Sequence, residues 1–163
     1  MERMPKICRH LHLPVQSGST RILQAMRRRY SRESYLELVE RIRTRLPNVA
    51  LSTDMIVGFP GESEADFEDT LSLTRAARFH SMFSFKYSPR PGTIAWRKMA
   101  DDVPADVKAA RLHRIEEVEG RISEEINRQY EGAVERVLIE GVRKEQPFGR
   151  TRTGKLVHLD APA

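Results

Sequence analysis

A single cysteine, Cys8, occurs in 163 residues. That count excludes an internal disulfide and any all-cysteine metal site within these residues, and a reducing, cytoplasmic setting is the expectation. No apolar run approaches the ~20 residues that a membrane-spanning helix needs, so no membrane partner is expected. The opening Met-Glu-Arg-Met-Pro-Lys lacks the apolar core of a signal peptide. Internal repeats and low-complexity tracts are absent as well. The composition is that of an ordinary folded chain, 39% hydrophobic and 31% charged. The length suits one domain, or one domain and a small part of another.

The net charge of +5 is unevenly spread. Residues 1–46 hold eleven basic and four acidic groups, and residues 47–100 hold six of each. Residues 101–132 hold five basic and nine acidic groups, and residues 133–163 six and four. A basic front end beside a mildly basic tail suits a polyanion such as RNA. A solvated, arginine-rich helix face accounts for the same distribution.

The chain is organised around residues 51–62. Leu51, Met55, Ile56 and Val57 give the short apolar run of a strand covered on both faces. By the period of two, Ser52, Asp54, Ile56 and Gly58 share one side, opposite Leu51, Thr53, Met55 and Val57. Gly58-Phe-Pro-Gly61 then turns the chain toward a helix capped by Ser63. Such strand ends are where α/β folds place their sites, although a ligand-free turn has the same pattern.

Before this strand, residues 10–16 alternate. Leu11, Leu13 and Val15 are expected to face a helical layer, away from His10, His12, Pro14 and Gln16. The two histidines on one face are read either as metal ligands or as hydrogen-bonded interior groups. Ser19 is expected to cap a short helix and Ser31 a longer one, with Tyr35, Leu38, Val39, Ile42 and Leu46 at helical spacing and Pro47 ending it. Phe67, Leu71 and Thr74 form the stripe of a helix over residues 64–78, and residues 81–88 form a third strand. The order strand–helix–strand–helix–strand argues a parallel sheet. A charged helix follows to about Tyr130, with Val107, Ile115, Val118, Ile122 and Ile126 as a narrow stripe and Gly120 as a place for a bend. Residues 134–140 read as a strand, and residues 149–159 as a hairpin turning at Thr153-Gly154.

Four of these segments, in this order, carry a resemblance: residues 12–19 (His-Leu-Pro-Val-Gln-Ser-Gly-Ser), 26–30 (Met-Arg-Arg-Arg-Tyr), 54–62 (Asp-Met-Ile-Val-Gly-Phe-Pro-Gly-Glu) and 87–93 (Tyr-Ser-Pro-Arg-Pro-Gly-Thr). Together they resemble the radical S-adenosylmethionine (SAM) methylthiotransferases. Within that family, residues 83–93 look most like the branch that methylthiolates an isopentenylated adenosine beside the tRNA anticodon. Branches acting on threonylcarbamoyl-adenosine or on a ribosomal-protein aspartate are similar.

The resemblance implies an α/β fold: the carboxy-terminal half of a partial TIM-type radical SAM barrel over residues 1–100, a connecting helix over 101–132, and an incomplete β-rich tail over 133–163 similar to the RNA-binding TRAM domain. It implies SAM at the C-terminal strand ends, with Gln16, Ser17, Asp54, Ile56, Gly58, Tyr87 and Arg90 as the matching positions. Asp54 needs a partner, His12 or a cofactor group. It implies tRNA as a partner, for which Arg27, Arg28, Arg29, Arg41 and Arg45, with Arg150, Arg152 and Lys155 of the tail, are the expected phosphate contacts. The family's 4Fe–4S clusters are held by cysteine runs in its amino-terminal half, and Cys8 cannot replace them. The chain is therefore expected to be a catalytically inactive piece that depends on that missing half. The alternative is a non-catalytic RNA-binding or regulatory remnant.

Overall fold

The computed structural model describes residues 6–160. Strands β1 (His10–His12), β2 (Ala50–Val57) and β3 (Ser81–Lys86) form a parallel sheet in the order β1-β2-β3. Helices α1 (Thr20–Ala25) and α2 (Arg32–Arg45) link β1 to β2, and α3 (Glu64–Ala77) links β2 to β3. Ser19, Ser31 and Ser63 each accept a hydrogen bond from the first turn of the helix they begin. This satisfies amides that would otherwise lack a partner.

One expected strand is cut short. Residues 10–16 pair continuously only as far as Leu13, whose amide donates to Ser52 O at 2.8 Å. Pro14 has no amide to continue the ladder. Val15 N donates instead to the Thr53 hydroxyl at 3.0 Å, and Gln16 rejoins β2 through Asp54 O and Ile56 N, each at 2.9 Å.

The core lies between the sheet and its helices. Val15, Leu51, Met55 and Val57 from the sheet meet Tyr35 and Val39 of α2 and Phe67, Leu71 and Ala77 of α3. Burying each large side chain contributes about 1.5–3 kcal/mol. Leu38, expected in the α2 stripe, is 37% exposed, because Tyr35 and Val39 at i and i+4 already fill the sheet side. Gly18 lets the β1–α1 loop touch α3: a Cβ there would lie 2.4 Å from Thr70 Cα.

After α4 (Ile94–Lys98), helix α5 (Ala105–Arg128) runs unbroken through Gly120, where a bend was expected. Its 24 residues span ~36 Å. Its buried stripe opens with Lys108 and Arg111 and continues through Ile115, Ile122 and Ile126. Val107, expected on this stripe, sits one position off it and is half-buried.

The tail is a second, antiparallel sheet of β4 (Val137–Arg143), β5 (Gln146–Thr151) and β6 (Leu156–His158). The hairpin expected over residues 149–159 is β5–β6, closed by Gly154 N donating to Thr151 O at 3.0 Å. The first strand begins three residues later than expected. It turns at Lys144 and Glu145, whose φ of 52° and 65° are both left-handed. Lys-Glu carries no turn signature, so this hairpin was not legible. Arg9 N donates to Arg152 O at 2.7 Å and ties the tail to the start of β1.

Candidate cofactor and nucleic-acid site

The C-terminal ends of the three parallel strands open into a cavity of about 750 Å³. Gln16 after β1, Asp54 and Ile56 of β2, and Tyr87 and Arg90 after β3 all line it. Five of the seven residues singled out for the cofactor are thus brought together. The other two stand behind the wall. Ser17 is fully buried, with its hydroxyl accepting from Ser19 N at 3.2 Å and lying 3.4 Å from that of Thr70. Gly58, at φ 71°, packs against Lys108, whose Cγ would lie 2.3 Å from a Cβ there.

The wall has two characters. Ile56, Phe59 and Tyr87 form an apolar side, and the Phe59 and Tyr87 rings meet edge-on at 5.1 Å. Asp54 supplies a carboxylate; Arg27, Arg28, Arg90 and Lys86 supply cations. Asp54 has the expected partner, with its Oδ2 3.4 Å from His12 Nε2, while His12 Nδ1 bonds the Ser52 hydroxyl at 2.9 Å. His10 and His12 are nonetheless exposed rather than interior, although the β5–β6 turn at Gly154 lies against the His10 ring. Among the described residues, no group of three or more histidines, cysteines or acids could hold a metal ion. Gln16 is held at φ 74°, a left-handed conformation unusual outside glycine, at the point where the chain rejoins β2.

A buried charge network supports the cavity from behind. Glu62 Oε2 accepts from Gly58 N at 2.7 Å and from Arg111 Nη1 at 2.8 Å. Burial pushes the Glu62 carboxyl up, against the Gly58 amide and the Arg111 guanidinium, which pull it down. Glu62 Oε1 and Arg111 Nε make no hydrogen bond among the described residues. Lys108 lies over the Tyr87 ring, 5.3 Å from its centroid, and pairs with Asp101 at 2.5 Å. Sequence reasoning missed these two cations. Their spacing carried the signal, since 108, 111, 115, 122 and 126 follow one helical face.

Asp66 anchors α1 to α3. It accepts from Ser19 Oγ at 2.6 Å, from Ser63 N at 2.9 Å and from Arg21. Burial alone would raise its pKa, but Arg21, Ser19 and Ser63 together hold it far below the usual carboxylate range.

The arginines singled out for RNA do not form one surface. Arg27 and Arg28 sit at the cavity rim. Arg29, Arg41 and Arg45 are exposed and make no ion pair among the described residues. Arg150 pairs with Glu140 at 3.3 Å, and Lys155 is half-buried on the tail. Arg152 reaches Ile7 O at 3.3 Å, at the opposite end of the sheet from the cavity.

A parallel α/β half-barrel with an amphipathic cavity at its C-terminal strand ends is the class of protein this geometry defines. Comparison with known proteins narrows it. The Radical SAM superfamily pattern matches residues 1–74. The chain is similar to a tRNA-2-methylthio-N(6)-dimethylallyladenosine synthase from Clostridium botulinum, 54% identical over 157 residues, covering 94% of this chain and 35% of that protein. The synthase of the same name from Acetivibrio thermocellus is 49% identical, with 100% of this chain and 34% of that protein covered. The chain thus spans about a third of the length of these relatives. Among solved structures it resembles the radical SAM enzyme coproporphyrinogen III oxidase from Escherichia coli, with a TM-score of 0.60, 18% identity, and 88% and 41% of the two chains covered, a likeness of fold. Over residues 1–74 the likeness is thus to the radical SAM superfamily, whose members in general use SAM and a 4Fe–4S cluster. No described helix is long and apolar enough to cross a membrane.

Proposed function

We propose that this chain is the SAM-binding and tRNA-contacting piece of an enzyme that adds a methylthio group to an isopentenylated adenosine beside the tRNA anticodon. The observation that carries the reading is the 54% identity to a tRNA methylthio-dimethylallyladenosine synthase across nearly all of the chain. Residues 1–100 are the half-barrel, 101–132 the connecting helix and 133–163 the RNA-binding tail in this reading, in a cytoplasmic protein.

The cavity suits SAM in its donor set. The amino acid part of SAM is a zwitterion and its nucleoside carries an aromatic base; the wall offers a carboxylate for the ammonium, guanidinium groups for the carboxylate and an apolar side for adenine. Asp54 and Gln16 would hold the amino acid part, Arg90 its carboxylate, and Ile56 and Tyr87 the adenine. When bound beside a reduced cluster, SAM supplies the radical chemistry of the superfamily. The residues present do not fit the cluster. Cys8 is the sole cysteine, and a cluster needs several thiolates. A further segment must supply them, and the chain by itself is inactive in this reading. The role of this chain is to bind SAM, shield it against α4 and Phe59, and hold the RNA.

The test joins this chain to the cysteine-bearing segment of a relative. The chimera should methylthiolate isopentenylated tRNA, read by mass spectrometry of the digested RNA. Asp54→Asn should weaken SAM binding about tenfold, worth about 1.4 kcal/mol, with the melting temperature unchanged. A chimera that folds and holds its cluster but leaves the tRNA unmodified overturns the reading. Loss of stability with SAM affinity intact would make Asp54 a structural partner of His12 alone.

A further inference from the structure

At the N-terminal ends of the same strands lies a second cavity, of about 650 Å³. Arg9 before β1, Val49 before β2 and His80 before β3 form its floor, and the end of α5 and the tail close its side through Tyr130, Glu135 and Arg152. Four guanidinium groups line it, those of Arg9, Arg43, Arg78 and Arg152, against the single lining carboxylate of Glu135.

Three of these four cations are held in place by the fold. Arg43 Nη2 donates to Ala77 O at 2.5 Å and to Arg78 O at 2.9 Å, capping the end of α3. Arg78 pairs with Glu125 at 2.8 Å, and Arg152 donates to Ile7 O. Arg9 makes no side-chain bond or ion pair among the described residues. Arg78 occupies the left-handed cap position at φ 45°, where glycine carries no steric penalty. A charged side chain is thus kept at a strained position that faces the cavity. Burial and the neighbouring Arg78 push the Arg43 pKa down.

Polar atoms of the two aromatic groups on the wall are already engaged. The Tyr130 hydroxyl is 3.1 Å from the Thr153 hydroxyl, and His80 Nδ1 accepts from Leu51 N at 3.2 Å. Guanidinium charge therefore dominates the lining. That is the chemistry of a contact that positions a backbone and does not read a sequence.

We propose that this basin is a phosphate site, and that it holds the sugar–phosphate backbone of the bound RNA on the side of the half-barrel opposite the SAM cavity. The site rests on the tRNA reading above and adds to it. The RNA is gripped at both ends of the sheet, and the tail completes the second grip by contributing Arg152.

The experiment uses the 163-residue chain and an anticodon stem-loop RNA, titrated across a series of salt concentrations. Two substitutions remove guanidinium groups with little expected cost to the fold: Arg9→Ala at an unpartnered side chain and Arg78→Gly at a position glycine prefers. Together they should weaken RNA binding about tenfold and reduce the salt slope by about 1.5, from two lost phosphate contacts. The melting temperature should stay the same or rise. Unchanged affinity and slope overturn the site; if Arg27→Ala with Arg28→Ala still weakens binding, the tRNA reading survives. Failure of the unaltered chain to bind the stem-loop overturns both. A separate arm adds inorganic phosphate. If phosphate binds in a manner dependent on Arg9 and Arg78 while RNA binding ignores them, the site takes a free phosphate and the assignment to RNA falls.

Discussion

The half-barrel and the tail sheet use strands of similar length and hydrophobic content, and bury them to different degrees. In β2 the side chains of Leu51, Met55 and Val57 are fully buried. In β4 Leu138 is 73% exposed, Ile139 52% and Val142 55%. The difference is the covering layer: α2, α3 and α5 close one face of the parallel sheet, and no described layer covers these side chains of β4. The parallel sheet makes the same point within itself, for Phe83 and Phe85 on its uncovered face are 57% and 54% exposed. Strand pattern decides which residues share a face, and a second layer decides whether that face is a core.

The largest test of this contrast compares truncations in the two regions. Phe67→Ala, at a fully buried position in the half-barrel core, should cost about 3–5 kcal/mol in urea unfolding. Leu138→Ala in the tail should stay within about 0.5 kcal/mol. Equal costs would show that the tail is packed in solution, and the contrast would fail.

A smaller effect sharpens the role of buried polar groups, which only the half-barrel has in number. Asp66→Asn should cost about 2 kcal/mol at neutral pH, since it removes charge-assisted bonds from Ser19, Ser63 and Arg21. The folded pKa is depressed, so this contribution is full above the unfolded value of about 3.9 and is lost as pH falls through the folded one. The variant should lose its stability deficit relative to the unaltered chain in strong acid. A deficit that persists unchanged there would mean packing, not charge, fixes α1 to α3.

The smallest effect belongs to the tail. Lys144→Asn with Glu145→Gly places residues suited to left-handed φ at the β4–β5 turn. Local stability should rise by about 0.5–1 kcal/mol, read as slower amide exchange in β4 and β5, with the urea midpoint of the half-barrel unchanged. A shift of that midpoint would join the two regions into one cooperative unit.

Much of the half-barrel was legible because its signals are local. Serine caps, the alternation from Leu51 to Val57 and the Phe67–Leu71–Thr74 stripe each depend on residues a few positions apart. The parity of β2 also set Asp54 and Ile56 on one side, where the cavity has them. Other features depended on partners far along the chain. Pro14 truncated β1 only because its neighbours pair with β2, and Leu38 was left outside only because Tyr35 and Val39 reached the sheet first.

What the sequence by itself determined is therefore the order of the elements apart from α4, the faces of the strands, the lack of thiolates for a cluster and the motifs that carry the resemblance. Each is written in spacing or in the presence of a residue type. Tertiary structure alone decided that Lys108 and Arg111 are buried behind Gly58, and that the arginines divide between the two ends of the sheet. It also decided that Arg9, Arg43, Arg78 and Arg152 converge from four separate segments. Charge counts report how many cations a chain carries, and only the packing of distant segments brings like charges together against their own repulsion.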